Sequence, residues 1–229
     1  MRILAIETTE KNGALAAMNA GNILSEKRLD RRGRSAQTLA PEIKSLLHRV
    51  RWKPEDVDLV AVCIGPGSFT GLRVGLATAK TFAYCVHAEL IGVNTLEVIA
   101  SAAPNEVKEL SVGMDVQRGE VIAGWFRRTD DNWFKAICPP EILPIEDWLE
   151  RARQKTILTG PILHQLTERM PTGVQALDPK YWSPTASSVA RFAAWQYQNG
   201  QRDDVFSLAP LYSRLAAAEE KYEREHREQ

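Results

Sequence analysis

Apolar positions recur along this chain at two spacings, and together they lay out its elements. Residues 59–64, Leu59-Val60-Ala61-Val62-Cys63-Ile64, lack polar alternation and predict a strand buried on both faces. A glycine-rich turn over 65–71 follows, then a small-residue helix to Val86 carrying Gly75, Ala77, Ala79 and Ala83, with Phe82 and Tyr84 as its bulky members. Upstream, Leu39, Ile43, Leu46 and Val50 recur at helical spacing, with Leu47 widening the stripe, and predict a helix over 35–49. Short strands are expected over 2–9, 14–18, 23–29 and 90–93, and Asn94-Thr95 caps a helix running to Ala103.

Pro104-Asn105 breaks the chain, and the pattern then restarts. Strands over 110–115, 120–128 and 132–137 precede a Cys138-Pro139-Pro140 loop. A helix over 145–154, a short strand over 156–160, helices over 162–170 and 185–198, and a charged helix over 216–227 complete the chain. Each half opens with a strand ending in a carboxylate, Glu7 or Asp115, and continues with two antiparallel partners. The order is duplicated although the two halves share no detectable repeat. Residues 1–104 and 105–229 are therefore expected as two subdomains, with the last helix packing back on the first.

Composition narrows the picture. Lys plus Arg and Asp plus Glu are both 29, so no global attraction to nucleic acid is indicated. The cysteines, Cys63, Cys85 and Cys138, are odd in number and widely spaced, which favours a reducing compartment. No apolar run approaches the ~18 residues that span a bilayer, and the first residues predict a strand, not a signal peptide. Residues 27–34 form a basic cluster, either a solvated loop or a contact for RNA or a partner.

The candidate chemistry sits at the strand ends. Ser68 or Thr70 can cap the helix after the turn, with Arg73 in its first turn, so the stretch makes either an anion site or a closely packed structural turn. It matches neither a Walker loop nor the dinucleotide fingerprint, whose third glycine would fall at 70 and not at Gly71. Glu7 and Asp115 are candidates for a paired-carboxylate cleft that holds magnesium or acts as acid and base, and each can equally cap a turn. The four histidines show no metal-ligand spacing, and neither a Cys-x-x-Cys nor a Gly-x-Ser-x-Gly motif occurs.

The block Gly65-Pro66-Gly67-Ser68-Phe69-Thr70-Gly71-Leu72-Arg73-Val74-Gly75, with Ala79-Lys80, strongly resembles the signature of the bacterial TsaB (YeaZ) family. Weaker matches occur in the same order along the chain: Ile3-Leu4-Ala5-Ile6-Glu7-Thr8, Ile91-Gly92-Val93-Asn94-Thr95-Leu96, Gly113-Met114-Asp115-Val116-Gln117-Arg118-Gly119-Glu120-Val121 and Pro210-Leu211-Tyr212-Ser213-Arg214. The resemblance implies an α/β fold of the actin/Hsp70/sugar-kinase type, two mixed-sheet halves facing a cleft. It further implies a cytoplasmic scaffold for threonylcarbamoyl transfer to adenosine 37 of tRNAs reading ANN codons. Such a scaffold partners the catalytic TsaD subunit and the ATPase TsaE, or a second copy of itself, and meets tRNA through the complex.

In the catalytic relative, two metal-binding histidines stand at the positions of Thr95 and Ile99, so the resemblance implies a chain without that metal site and without its chemistry. The apolar faces of the helices over 35–49 and 72–86 read either as core or as an interface, and with the resemblance the partner face is expected at Leu39, Ile43, Leu46, Leu72, Gly75, Ala79 and Phe82. Contacts to a nucleotide or anion, ATP or ADP with magnesium at the complex interface, fall to Glu7, Thr8, Thr9, Gly67, Ser68 and Asp115. The competing expectation is an ATP-dependent phosphotransferase using Glu7, Thr8 and Asp115. Three positions depart from the family pattern: Glu7 replaces the usual Asp, Arg34 a His, and Ser213 a Leu.

Overall fold

A computed structural model describes residues 1–29, 35–152 and 156–213. The helix expected over 216–227 and most of the basic cluster, residues 30–34, lie outside these. The first half contains β1 (Arg2–Glu7), β2 (Ala14–Asn19), β3 (Asn22–Arg28), α1 (Ser35–Arg49), β4 (Leu59–Gly65), α2 (Phe69–Val86), β5 (Glu89–Asn94) and α3 (Thr95–Ser101). Its five strands form one sheet in the order β3-β2-β1-β4-β5. The β1–β2 and β2–β3 pairs are antiparallel, whereas β1, β4 and β5 run parallel.

The second half repeats this plan. It contains β6 (Glu109–Asp115), β7 (Glu120–Arg128), β8 (Phe134–Ala136), β9 (Glu141–Pro144), α4 (Ile145–Ala152), β10 (Ile157–Thr159), α5 (Leu163–Leu166), β11 (Gln175–Ala176) and α6 (Ala186–Gln198). Here β6 lies between antiparallel β7 and parallel β10, as β1 lies between β2 and β4. Both β8 and β9 pair with β7, at opposite ends, and share the place that β3 holds in the first sheet. The duplicated α/β architecture expected from the order of elements is the one observed. Sequence pattern missed β9, a four-residue strand closed by Pro144, and β11, two residues long. Segments this short have no periodicity to detect.

Strand alternation divides the core into layers. Leu4 and Ile6 of β1 face one way, joining Val60 and Val62 beneath Leu39, Ile43 and Leu46 of α1 and Leu76, Ala79 and Ala83 of α2. Ile3 and Ala5 face the other way, against Val189, Ala190, Phe192 and Ala193 of α6. The second sheet packs one face on Leu96, Ile99 and Ala100 of α3, and the other on Trp148 and Leu149 of α4. The halves thus exchange helices: α3, from the first, covers the second sheet, and α6, from the second, covers the first. Trp133, in the β7–β8 connection, stacks on Trp195 of α6 with ring centroids 4.9 Å apart and fastens this exchange.

After α6 the chain crosses back over the first half. Leu90 and Asp203 form an antiparallel bridge, the Gly92 amide donates to the Asp203 carboxylate at 2.8 Å, and the Leu211 amide donates to the Ile64 carbonyl at 2.7 Å. Residues 203–213 therefore form a strap along the β5 edge and across the end of β4.

Candidate functional site: the cleft and the outer face of the first half

The glycine-rich turn is knotted to the end of β1. Ser68 caps α2, its hydroxyl accepting from the Gly71 amide at 3.3 Å. The Thr8 hydroxyl donates to the Gly71 carbonyl at 2.8 Å, and the Ser68 amide donates to the Thr9 carbonyl at 2.8 Å. A Cβ on Gly71 would lie 1.9 Å from the Thr8 carbonyl oxygen, and one on Gly75 2.1 Å from the Thr8 hydroxyl. Real side chains tolerate neither distance, so these glycines exist for close approach of helix and strand.

Glu7 lies under this knot and is buried. One carboxylate oxygen accepts from the Thr9 amide at 2.6 Å and from the Thr9 hydroxyl at 2.5 Å. Burial pushes its carboxyl from 4.5 up to about 7, against the lowering effect of the Thr9 hydrogen bonds. Behind it, burial raises the Cys63 thiol, with the Glu7 charge adding to the effect. Thr95 completes the buried polar chain: its hydroxyl lacks an oxygen or nitrogen partner and has only the Cys63 thiol, a weak acceptor, beside it.

Between the halves lies a cleft of about 1300 Å³. Of the residues proposed for nucleotide or anion contact, Thr9, Gly67, Ser68 and Asp115 line it, while Glu7 and Thr8 do not. The Glu7–Asp115 pair is therefore not assembled: Asp115 is exposed at the wall and Glu7 is sealed beneath the floor. Asp115 accepts from the Gln117 amide at 2.7 Å and from the Gln165 amide side chain at 3.2 Å. Gln117 and Arg118 take left-handed φ values of 68° and 59°, and the tight turn they make brings Arg118 to the cleft edge. Arg28 reaches the same cleft from β3, whereas its neighbour Lys27 pairs with Glu42 of α1.

The residues expected at the partner face lie mostly inside the first half. Leu39, Ile43, Leu46, Leu72, Gly75 and Ala79 are buried within the chain itself, and Phe82 is half-buried. The same stripe that marks a helix as amphipathic is used here to cover the first sheet, so these side chains support the outer face from behind. What α2 turns outward is Thr70, Arg73, Ala77, Thr81, Tyr84 and Cys85. Beside this row runs the strap, which periodicity cannot reveal because it has no regular structure. Its only trace in the sequence is the Pro210-Leu211-Tyr212 match.

Thr95 and Ile99 are both fully buried, Ile99 among the apolar residues between α3 and the second sheet. Among the described residues, no group of three His, Cys, Asp or Glu side chains is placed to hold a metal ion, and no helix is long and apolar enough to cross a membrane.

Comparison with known proteins gives the family and the fold. The family described as TsaD, tRNA N6-adenosine threonylcarbamoyltransferase, matches residues 31–169. The tRNA threonylcarbamoyladenosine biosynthesis protein TsaB of Bacillus subtilis is 27% identical over 97% of this chain and 98% of its own length. TsaB of Escherichia coli is 26% identical over 93% of this chain and 95% of its own length. A Pseudomonas aeruginosa protein with similarity to YeaZ shares the fold, with a TM-score of 0.79 at 24% identity over 93% of this chain and 99% of that one. On the family match and these full-length relatives, the chain belongs to the TsaB (YeaZ) family, within the wider family of TsaD-like domains.

Proposed function

We propose that this chain is a non-catalytic subunit in forming threonylcarbamoyladenosine at position 37 of tRNAs that read ANN codons. It acts in the cytoplasm by binding the TsaD subunit through the outer face of its first half, and the ATPase TsaE joins the assembly. Relatives that span the whole chain carry the biosynthetic name, which supports the pathway. The observation that carries the non-catalytic part is the burial of Thr95 and Ile99. Where the resemblance puts two metal-binding imidazoles, this chain has a hydroxyl enclosed beside a thiol and an alkyl group in the core.

The alternative, a phosphotransferase using Glu7, Thr8 and Asp115 around magnesium and ATP, finds only the cleft in its favour. Its donor set does not fit. Glu7 directs its carboxylate at Thr9, Thr8 spends its hydroxyl on Gly71, and Asp115 alone faces the cleft. Size-exclusion chromatography with TsaD from the same organism tests the partner reading: co-elution is expected, and separate elution at micromolar concentration contradicts it. Calorimetric titration of the chain alone with Mg–ATP tests the alternative, with no saturable heat expected.

A further inference from the structure

Glu7 is a buried carboxylate that no step of the proposed function uses. By strand alternation it shares with Ile3 and Ala5 the face of β1 turned toward α3 and α6. Its surroundings there are apolar or weakly polar. Ala14 of β2 lies beside it in register, β4 brings the Cys63 thiol, α3 Thr95 and Val98, and α6 Ala186 and Val189. Among the described residues no basic side chain pairs with it. Of the ionisable groups near it, Glu10 raises its carboxyl further by charge, and the Cys63 thiol is itself kept neutral by burial. Glu97, the ionisable residue of α3, responds to its own burial and not to Glu7.

The carboxylate is held by Thr9, whose amide and hydroxyl both donate to one oxygen. Thr9 also connects it to the cleft. This residue lines the cleft, its carbonyl accepts from the Ser68 amide, and a Cβ on Gly67 would lie 2.5 Å from its own Cβ. Hydrogen bonds to an ionised acceptor are roughly twice as strong as neutral ones. A proton on Glu7 therefore acts in two opposed ways. It removes the cost of a charge held away from water, and it weakens the two bonds that position Thr9. The first effect favours the protonated fold as a whole; the second loosens one point on the cleft floor.

We propose that Glu7 is a proton-operated anchor for the cleft floor. Ionised, it draws the Thr9 amide and hydroxyl inward and so fixes the 65–71 turn. Protonated, it relaxes that hold and frees the Thr9 hydroxyl for a new partner. The proton is exchanged with solvent, and no other group changes charge. Burial places the exchange at about 7, so both forms are populated near neutral pH. The device belongs to the chain alone and is independent of the proposed partnership with TsaD.

Nuclear magnetic resonance of the full chain, isotope-labelled at the backbone amides and the glutamate carboxyls, tests this from about pH 5.5 to about pH 8.5. The Glu7 carboxyl is expected to titrate at about 7, with the amides of Thr9, Ser68 and Gly71 shifting along the same curve. The Ser68 amide, after correction for the intrinsic pH dependence of exchange, exchanges several-fold faster in the protonated form. Glu7→Gln keeps the shape and stays neutral, so it abolishes the titration and leaves the three amides near their low-pH positions throughout. Thr9→Val removes the hydroxyl bond to the ionised form and moves the Glu7 midpoint upward. A carboxyl that does not titrate in this range overturns the inference. A carboxyl that titrates while the three amides hold still overturns it too, because Glu7 is then a buried acid without a grip on the floor. Amide shifts that persist unchanged in Glu7→Gln do the same. The wild-type titration decides the matter even where a variant fails to fold.

Discussion

Glu7 and Asp115 end equivalent strands of the two sheets, yet one is sealed and the other lines the cleft. Each half also places a left-handed glycine at the end of its first crossover strand, Gly65 with φ 124° and Gly160 with φ 120°. The helix after that glycine makes the difference. In the first half an 18-residue helix packs so closely that Gly71 and Gly75 touch Thr8, and this pulls the end of β1 into the interior. In the second half the corresponding helix has only four residues, and Asp115 stays at the surface. Equal topology thus yields a buried structural knot on one side and an open wall on the other. A carboxylate at a strand end becomes a site only if the next helix leaves it uncovered.

The comparison breaks first at the knot. Gly71→Val drives a branched side chain into the Thr8 backbone and is expected to cost more than about 3 kcal/mol, read as a collapse of the thermal transition or as insoluble protein. Full stability in that variant contradicts the close approach. Glu7 provides the next largest effect. Its carboxyl titrates near 7 in the fold and near 4.5 when unfolded, so the folded state prefers the proton. The resulting stabilisation is complete below about pH 4.5, is lost as pH rises to about 7, and stays absent above it. Glu7→Gln should therefore raise stability at pH 8 by up to about 3 kcal/mol, at 1.36 kcal/mol per pH unit, and flatten the profile between pH 4.5 and 7. Urea titrations at several pH values decide this, and an unchanged slope refutes it.

Asp115→Asn sharpens the contrast from the other side. The residue is exposed and makes two modest hydrogen bonds, so the same denaturation measurement should move by no more than about 1 kcal/mol. The smallest change is expected for Thr95→Val, within about 0.5 kcal/mol, because the hydroxyl removed has only a thiol beside it. A large loss there would reveal a polar role for the helix position that the resemblance assigns to a metal ligand.

The fold was legible because its signals are local. An unalternating run at 59–64, a helical stripe at 39–50 and a second carboxylate-ended strand at 110–115 each declare an element, and their order declares the duplication. The site was legible only in part. The residues of the 65–71 turn indicate that something approaches closely, and the structure identifies it as Thr8 and Thr9 at Gly71 and Gly67 and as Leu211 at Gly65. Whether Leu39 or Ala79 faces a sheet or a partner is set by what lies across the helix, and a single stripe does not encode that. The burial of Glu7 depends on a helix more than sixty residues away, and the strap on contacts across more than a hundred. Neither leaves a periodic trace.

The central claim is that this chain serves threonylcarbamoyladenosine formation without carrying out its chemistry. Nucleoside mass spectrometry of a reconstituted reaction tests it most directly, with substrate tRNA, threonylcarbamoyl-adenylate, ATP, TsaD and TsaE from the same organism, and this chain added or withheld. The modified nucleoside should form only when the chain is present with TsaD, and never with the chain alone. Product formed by the chain without TsaD, or an equal yield when the chain is withheld, contradicts the account.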